Sequence, residues 1–441
     1  MTTVNDVESL TRVGPGTPMG ELMRQYWIPA AKSSELAPDG DPMRLMLLGE
    51  KLIAFRDSAG RVGVMDHRCP HRCASLFLGR NEQNGIRCIY HGWKYDVDGN
   101  CLEMPNMPAE QDFKHKVKAK AYKVAERNGL IWVYMGSRAV APPLPSIEAT
   151  LLPEGETELY FAQRECNWLQ ALEGDIDTSH FSFLHAGSIT PEDLPPGHPL
   201  MPIVTNRTPE YHVAESPWGT MYAAYRPADD TKAHTYWRFA HFLFPFWTHI
   251  PQGKFEDRVV ARAWVPLDDT HTMYVMITWK NASFGYQPMK NGEMPAGIIN
   301  TSEFLPNTTD WLGRFRLEGN RTNDWLIDRQ AQRENRIFSG IDGGAHRQDQ
   351  AVTESMGPIT DFAFEHLAPS DAMIGFTRRR MLRAVRALQE NGTVPPGVDE
   401  PEIYLRARSG EIMAKAGEDW QAVYEERLQA SLRPGARQAA E

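Results

Sequence analysis

The sequence predicts an α+β protein in two parts, a small antiparallel β domain followed by a larger domain of strands and helices. Three observations predict it. From Arg44 to about Met135, short β-rich runs (RLMLLG, KLIAFRD, RVGVMD) alternate with turn signals at Gly49-Glu50, Ser58-Ala59-Gly60, Asp98-Gly99 and Asn128-Gly129. Between Ser137 and Gly155, Pro142, Pro143, Pro145 and Pro153 describe an extended connection. Beyond it come long strand patterns and then helical ones. The division falls in that connection, giving residues 1–145 and 146–441.

Each element has a local reason. Thr17 as N-cap and Pro18 at the first helical position predict an opening helix over Met19 to Trp27. After the connection, the segment from Glu165 to His185 starts as a helix. Strands are expected at roughly 210–225, 235–250, 257–266 and 272–280, the last two joined by an Asp268-Asp269-Thr270 turn. Thr322 is placed to cap TNDWLIDRQAQREN. Ser370 is placed to cap a long helix whose Ile374, Met381, Val385 and Leu388 form one apolar stripe and whose Gly392 stops it. The charged, amphipathic tail from Pro401 reads as a packing or subunit-contact appendage.

Composition narrows the function. In 441 residues, 47 Lys plus Arg stand against 57 Asp plus Glu, a formal charge of −10. Such a balance gives no field to attract phosphate backbones, and no run of about 18 apolar residues exists to span a bilayer. Nucleic acid and membrane partners are therefore not expected. The start MTTVNDVESL lacks the basic and apolar stretches of a secretory signal, so a cytoplasmic protein is expected. Five cysteines, Cys69, Cys73, Cys88, Cys101 and Cys166, are an odd number for a disulfide framework.

The cysteines lead to the first constellation. Cys69-Pro-His71 and Cys88-Ile-Tyr-His91 each pair one thiol with one imidazole. Two thiolates on one iron and two histidines on the other make a [2Fe–2S] cluster of raised potential, suited to receiving electrons. A structural zinc site is the alternative, but its usual C-x₂₋₄-C and H-x₃₋₅-H spacing fits poorly. CPHR at 69–72 and CIYHGWKYD at 88–96 resemble Rieske proteins. Arg87 stands where respiratory Rieske subunits carry an extra disulfide cysteine. The resemblance therefore points to the Rieske domain of soluble oxygenases and leaves Cys73 and Cys101 as unpaired small hydrophobes.

The second constellation lies in CNWLQALEGDIDTSHFSFLH, positions 166–185. On an α-helix Asp177 and His180 share one face, but His185, five residues on, rotates about 500° and falls about 140° off it. Both imidazoles reach one ion only if the helix ends or bulges between them. Two histidines and a carboxylate hold one face of a ferrous ion and leave the other open. Asp177 reads better as the partner that orients His180 than as the ligand. Asp349 is the candidate carboxylate, with Asp342, Glu354 and Asp361 as competitors.

NWLQALEGDIDTSHFSFLH resembles the catalytic iron motif of Rieske non-haem iron oxygenases, in particular the phthalate dioxygenase-like group. The resemblance implies an all-β Rieske domain followed by a helix-grip catalytic domain. It implies that His180, His185 and Asp349 bind mononuclear Fe(II), and that Asp177 bridges to a Rieske cluster. It also implies a homotrimer or stacked trimers in which electrons cross between subunits. The glycines from Gly14 to Gly20 lack dinucleotide-fingerprint spacing, so a separate flavin and iron–sulfur reductase is expected to supply electrons from NAD(P)H. With O2, the expected reaction is hydroxylation of an aromatic carboxylate. O-demethylation of a methoxy-aromatic acid is the alternative, and a Rieske electron-transfer protein without oxygen activation is the reading from another class. WRFAHFLFPFWTHI and MYVMITW either line a pocket for a flat ring or fill the core, and Arg207 is a candidate for pairing with a substrate carboxylate.

Overall fold

A computed structural model describes residues 4–228, 233–257, 259–282 and 286–432. The chain opens with α1 (Val4–Thr11) and α2 (Pro18–Met23). Thr17 caps α2 by accepting from the Gly20 amide at 3.2 Å. The helix ends at Met23 rather than Trp27, because Trp27 starts β1 (Trp27–Lys32). Strands β2 (Met43–Leu47), β3 (Glu50–Arg56) and β4 (Val62–Asp66) follow. Four short strands come next: β5 (Arg80–Asn81), β6 (Ile86–Arg87), β7 (Lys94–Tyr95) and β8 (Cys101–Glu103). Then come β9 (Ala121–Arg127) and β10 (Leu130–Tyr134).

These ten strands form two antiparallel sheets. The larger has the order β1-β10-β9-β4-β3-β2; the smaller, β5-β6-β7-β8, is inserted between β4 and β9, with the first Cys/His loop on the way from β4 to β5 and the second between β6 and β7. Ile53, Phe55, Leu76, Ile86 and Tyr95 are fully buried between them, so the loops project from a rigid base.

After the proline-rich connection and α3 (Glu148–Leu151), β11 (Thr157–Arg164), α4 (Trp168–Ile176) and α5 (Met201–Thr205) lead into the main sheet. Its further strands are β12 (Glu210–Ser216), β13 (Gly219–Pro227), β14 (His234–Leu243), β15 (Trp247–His249), β16 (Val260–Pro266) and β17 (Thr272–Trp279). The antiparallel order is β11-β17-β16-β15-β14-β13-β12. The strand expected over 210–225 is a hairpin, since the chain turns at Pro217-Trp218 and Gly219 has Phe242 O only 2.2 Å from where a Cβ would lie. The strand expected over 235–250 is interrupted at Phe244-Pro245, where proline offers no ladder donor. In the strand expected over 257–266, Arg258 lies outside the described residues and the observed strand starts at Val260.

The remaining elements are α6 (Arg329–Arg333), α7 (Ala345–Ser355), α8 (Ala372–Asn391), β18 (Gly410–Lys415) and α9 (Trp420–Ser431). No long helix follows Thr322. Asp324, Trp325 and Leu326 have positive φ, Asn320 accepts from the Thr322 amide, and Asp328 caps the short α6. Ser370 does not cap α8. It sits in a one-turn helix whose Asp371 precedes Ala372, while Gly392, at φ 65°, ends α8 as expected. Ile374, Met381 and Val385 are buried, and Leu388 packs against the same core. The tail is a packing appendage, with β18 pairing with β14 and α9 laying Trp420 and Tyr424 on Phe239. Residues 433–441 of that tail lie outside the described set.

Sheet register fixes what each face of β12–β14 presents. Side chains alternate, so Tyr211, Tyr222, Arg226, Tyr236 and Arg238 share one face. Tyr225, Trp237 and Phe239 share the other, beneath α9.

Behind that second face, His241 and His249 are buried. Trp218 Nε1 donates to His241 Nδ1 at 3.3 Å, so His241 Nε2 donates to the Arg408 carbonyl at 2.8 Å. Burial pushes His241 down to about 3 and His249 to about 4. Both are neutral in the fold and take up protons near pH 6.5 once unfolded, so their contribution is complete above pH 6.5 and is lost as pH falls toward 4 and then 3. Thermal melts are expected to drop steeply below pH 6.5, and His249→Gln to flatten that acid slope. An unchanged slope contradicts the assignment.

Candidate metal centres

The two Cys/His loops repeat one backbone pattern. The Cys69 amide donates to Ala74 O at 2.8 Å and the Cys73 amide to Cys69 O at 2.9 Å. In the second loop, the Cys88 amide donates to Trp93 O at 2.8 Å and the Gly92 amide to Cys88 O at 2.9 Å. Each loop closes through a residue of positive φ, Cys73 at 59° and Gly92 at 78°. Gly92 has no alternative, because a Cβ there would meet Pro105 at 2.6 Å.

The loops thus present matched donors. Cys69 and Cys88 are buried thiols, and the His71 and His91 rings stand 4.3 Å apart between centroids. Trp93 stacks on His71 at 4.3 Å and is fixed by its Nε1 donating to Asn106 at 2.8 Å. The Tyr95 hydroxyl lies 3.3 Å from Cys69 Sγ, where it would donate to a thiolate that held a cluster and so raise the cluster's potential. Arg87 clasps the second loop by donating to Gly92 O at 2.9 Å, and is held by Glu82 and Glu103. All five cysteines are free. Cys101 is buried as a small hydrophobe should be, whereas Cys73 is exposed, a correction that its left-handed loop position explains.

These residues fit a binuclear cluster. His91 Nδ1 is buried without a hydrogen-bond partner, as a nitrogen reserved for a metal would be. Among the described residues, no three of the four donors gather within 4.8 Å of one another, as one tetrahedral zinc requires. Two thiols on one side and two imidazoles on the other match two irons.

The second centre does gather. Asn167 caps α4 by accepting from the Leu169 amide at 3.0 Å, and the helix ends at Ile176. Asp177 is extended and accepts from Ser179 N and Oγ at 2.7 and 2.8 Å. The chain then widens into a π-helical turn over Phe181–His185, with the Ala186 amide bonded to Phe181 O at 3.0 Å. This is the bulge that the five-residue spacing demands. It brings His180 Nε2 within 3.1 Å of His185 Nε2, and Asp349 Oδ1 of α7 lies 3.1 Å from the latter and 3.6 Å from the former.

Neighbours fix both tautomers. Gln348 Oε1 accepts from His185 Nδ1 at 2.7 Å, while its amide donates to Ile341 O at 2.9 Å. Asp177 Oδ2 faces His180 Nδ1 at 3.4 Å. Each Nε2 therefore turns its lone pair toward the shared point, the arrangement a 2-His-1-carboxylate iron site needs. Burial opposes ionisation of Asp349, but His185 and His180 hold its carboxyl well below the usual range. Burial likewise opposes ionisation of Asp177, and His180 with Ser179 outweighs it.

The competitors are occupied elsewhere. Glu354 accepts from Glu165 N, Trp325 Nε1 and Gln350 Nε2; Asp342 accepts from Gly343 N and Asp361 from Ala363 N. Arg207 is also corrected, because its guanidinium donates to the carbonyls of Ser182, Ala186 and Ile189 and holds the π turn. The cations in the wall of the space beside the triad are Arg238 and Arg262. Sequence reading missed them, since on a strand an arginine carries no local signal of the face it occupies.

Fold and donors together define a class, an oxygenase component that couples an electron-accepting cluster to a mononuclear iron site. Family models agree: a Rieske [2Fe-2S] domain matches residues 26–123 and a "LigXa C-terminal domain like" model matches residues 133–438. The chain is 51% identical to the 3-chlorobenzoate-3,4-dioxygenase oxygenase subunit of Comamonas testosteroni over 98% of this chain and 100% of that one. It is 37% identical to the phthalate 4,5-dioxygenase oxygenase subunit of Pseudomonas putida over 93% and 92%. The fold is shared with the solved Pseudomonas putida CBB5 NdmA QL mutant with theobromine, at TM-score 0.54 and 18% identity, covering 91% of this chain and 99% of that one. The chain belongs to the Rieske non-haem iron oxygenases, as an oxygenase component of the phthalate dioxygenase-like group. No helix among the described residues is long and apolar enough to cross a membrane.

Proposed function

We propose that this oxygenase component hydroxylates an aromatic carboxylate in the cytoplasm, with electrons from a flavin and iron–sulfur reductase. Cys69, Cys88, His71 and His91 hold the cluster, and His180, His185 and Asp349 hold the iron. The split into an electron-accepting part (1–145) and a catalytic part (146–441) belongs to the same reading, although α1 and α2 pack on α8 of the second part. When bound, these groups supply single electrons and an ion that activates O2.

One observation carries the substrate class, the cationic wall beside the triad. Arg262 is neutralised by Asp175 at 2.6 Å, but Arg238 donates to neutral acceptors, Thr178 Oγ1 at 2.6 Å and Pro251 O at 3.0 Å. Glu411 stands 3.8 Å from its Nε. Its ion pair with Glu411 is thus long and its close hydrogen bonds go to neutral oxygens, which leaves this buried guanidinium able to pair more tightly with a substrate carboxylate. Two relatives of high coverage carry aromatic carboxylates in their names. The space between the triad and this cationic wall is about 50 Å³, room for water but not for a ring, so a substrate ring that reaches Arg238 displaces lining side chains such as Phe181 or Tyr286.

His180, Asp349 and Asp177 also border a groove of about 230 Å³ lined by Leu184, Val352, Met356 and Leu367. At the cluster loops, Ile89 and Tyr90 are 59% and 54% exposed. These matching apolar surfaces support a ring of subunits in which one chain's cluster loops sit against a neighbour's Asp177. Asp177 then orients His180 while contacting the incoming donor.

Product analysis with benzoates, benzenedicarboxylates and methoxybenzoates, using a compatible reductase, tests the reaction. Hydroxylated acids are expected. Formaldehyde from the methoxy acids without ring hydroxylation would move the reaction to O-demethylation, and reductase-dependent cluster cycling without O2 consumption would leave only electron transfer.

A further inference from the structure

Arg226 is the anomaly of the catalytic sheet. Its residue is 2% exposed, yet Nε, Nη1 and Nη2 all lack a hydrogen-bond partner; among the described residues it is the one arginine with all three nitrogens buried and orphaned. An unpaired guanidinium in such a place costs stability, and folds keep one only for a reason. Burial and the nearby Arg238 push it down to about 10, which leaves it cationic at neutral pH.

Its position supplies the reason. Arg226 pairs across the ladder with Tyr236, and Arg238 pairs with Ala224, so the two arginines are diagonal neighbours on one face, Cα atoms about 7–8 Å apart. Arg238 lines the space at the triad, whereas Tyr236 lines a separate cavity of about 490 Å³ with Met201, Pro202, Glu411 and Ile412. Arg226 thus stands beside a wall residue of each. The outer cavity has the volume of a small-molecule site. Glu411, close to Arg238, balances one of the two positive charges and leaves the other for an incoming anion.

We propose that Arg226 is the second guanidinium that holds the substrate's carboxylate, sharing it with Arg238 as the acid moves from the outer cavity to the triad. This rests on the aromatic-carboxylate reading above. Two forks on one carboxylate fix the ring's direction as well as its position, which a single arginine bound to neutral acceptors does not.

The test compares Arg226→Met and Arg226→Lys with the wild-type holoenzyme, using 3-chlorobenzoate and its neutral amide as probes. Because the guanidinium is unpaired in the ligand-free protein, Arg226→Met is expected to melt at or above the wild-type temperature. KM for 3-chlorobenzoate should rise about tenfold or more, with a much smaller change in kcat, and Arg226→Lys should recover part of the loss. The preference for the acid over the amide should shrink. A wild-type KM in Arg226→Met, or a lower melting temperature with the acid preference intact, would overturn the proposal and make Arg226 structural. A wild-type enzyme that turns over no aromatic carboxylate would instead remove the underlying reading, and the proposal with it.

Discussion

Asp349→Ala is expected to abolish oxygenation, leaving turnover below about one per cent of wild type while the cluster keeps its reduced paramagnetic signal. Asp349 Oδ1 is the only carboxylate oxygen, among the described residues, gathered with both Nε2 atoms. Its removal leaves two imidazole Nε2 atoms 3.1 Å apart with no anion to balance a divalent ion. The cluster loops rest on a core between the two N-terminal sheets that includes no residue of α7, so their geometry should not respond. Iron analysis and the spectrum of the reduced protein check both halves. A variant that keeps its mononuclear iron, or loses its cluster as well, contradicts the assignment.

Asp177→Asn carries the second large effect. Ser179 N and Oγ both donate to Oδ1, so the amide oxygen of asparagine takes that place and its NH2 turns toward His180 Nδ1. A donor then meets a donor, and the charge that orients His180 is gone. Reductase-coupled turnover is expected to fall about a hundredfold or more while both iron centres stay filled. The discriminating readout is a single turnover from a pre-reduced cluster, in which cluster oxidation by O2 in the presence of substrate should slow by a similar factor. If cluster oxidation keeps its wild-type rate, Asp177 does not join the centres.

Much of this site was legible in the sequence because its chemistry is local. Two Cys/His pairs at short spacing predict two loops, and both loops are present with one shared hydrogen-bond pattern. The five-residue interval between His180 and His185 demanded a broken or widened helix, and the chain supplies a π turn. What escaped is long-range. Gln348 orients His185 from 163 residues away and carries no local mark. Arg207 in VTNRTPEY reads as a candidate for a substrate carboxylate, but the widened turn leaves carbonyls that need a donor, and its guanidinium donates to them. Arg226 and Arg238 declare themselves only when register places them on one face. The helix expected after Thr322 failed because Asn320 and Asp328 compete for the backbone amides that a continuous helix would have used.

The central claim is that one chain carries two iron centres of different kinds. Iron and acid-labile sulfide per chain in the purified protein, read beside the paramagnetic spectrum after reduction, tests it most directly. The account predicts three irons and two sulfides with a Rieske-type signal. Two irons with two sulfides, unchanged after anaerobic ferrous loading, would leave the triad without its ion and contradict it, as would a colourless protein holding zinc.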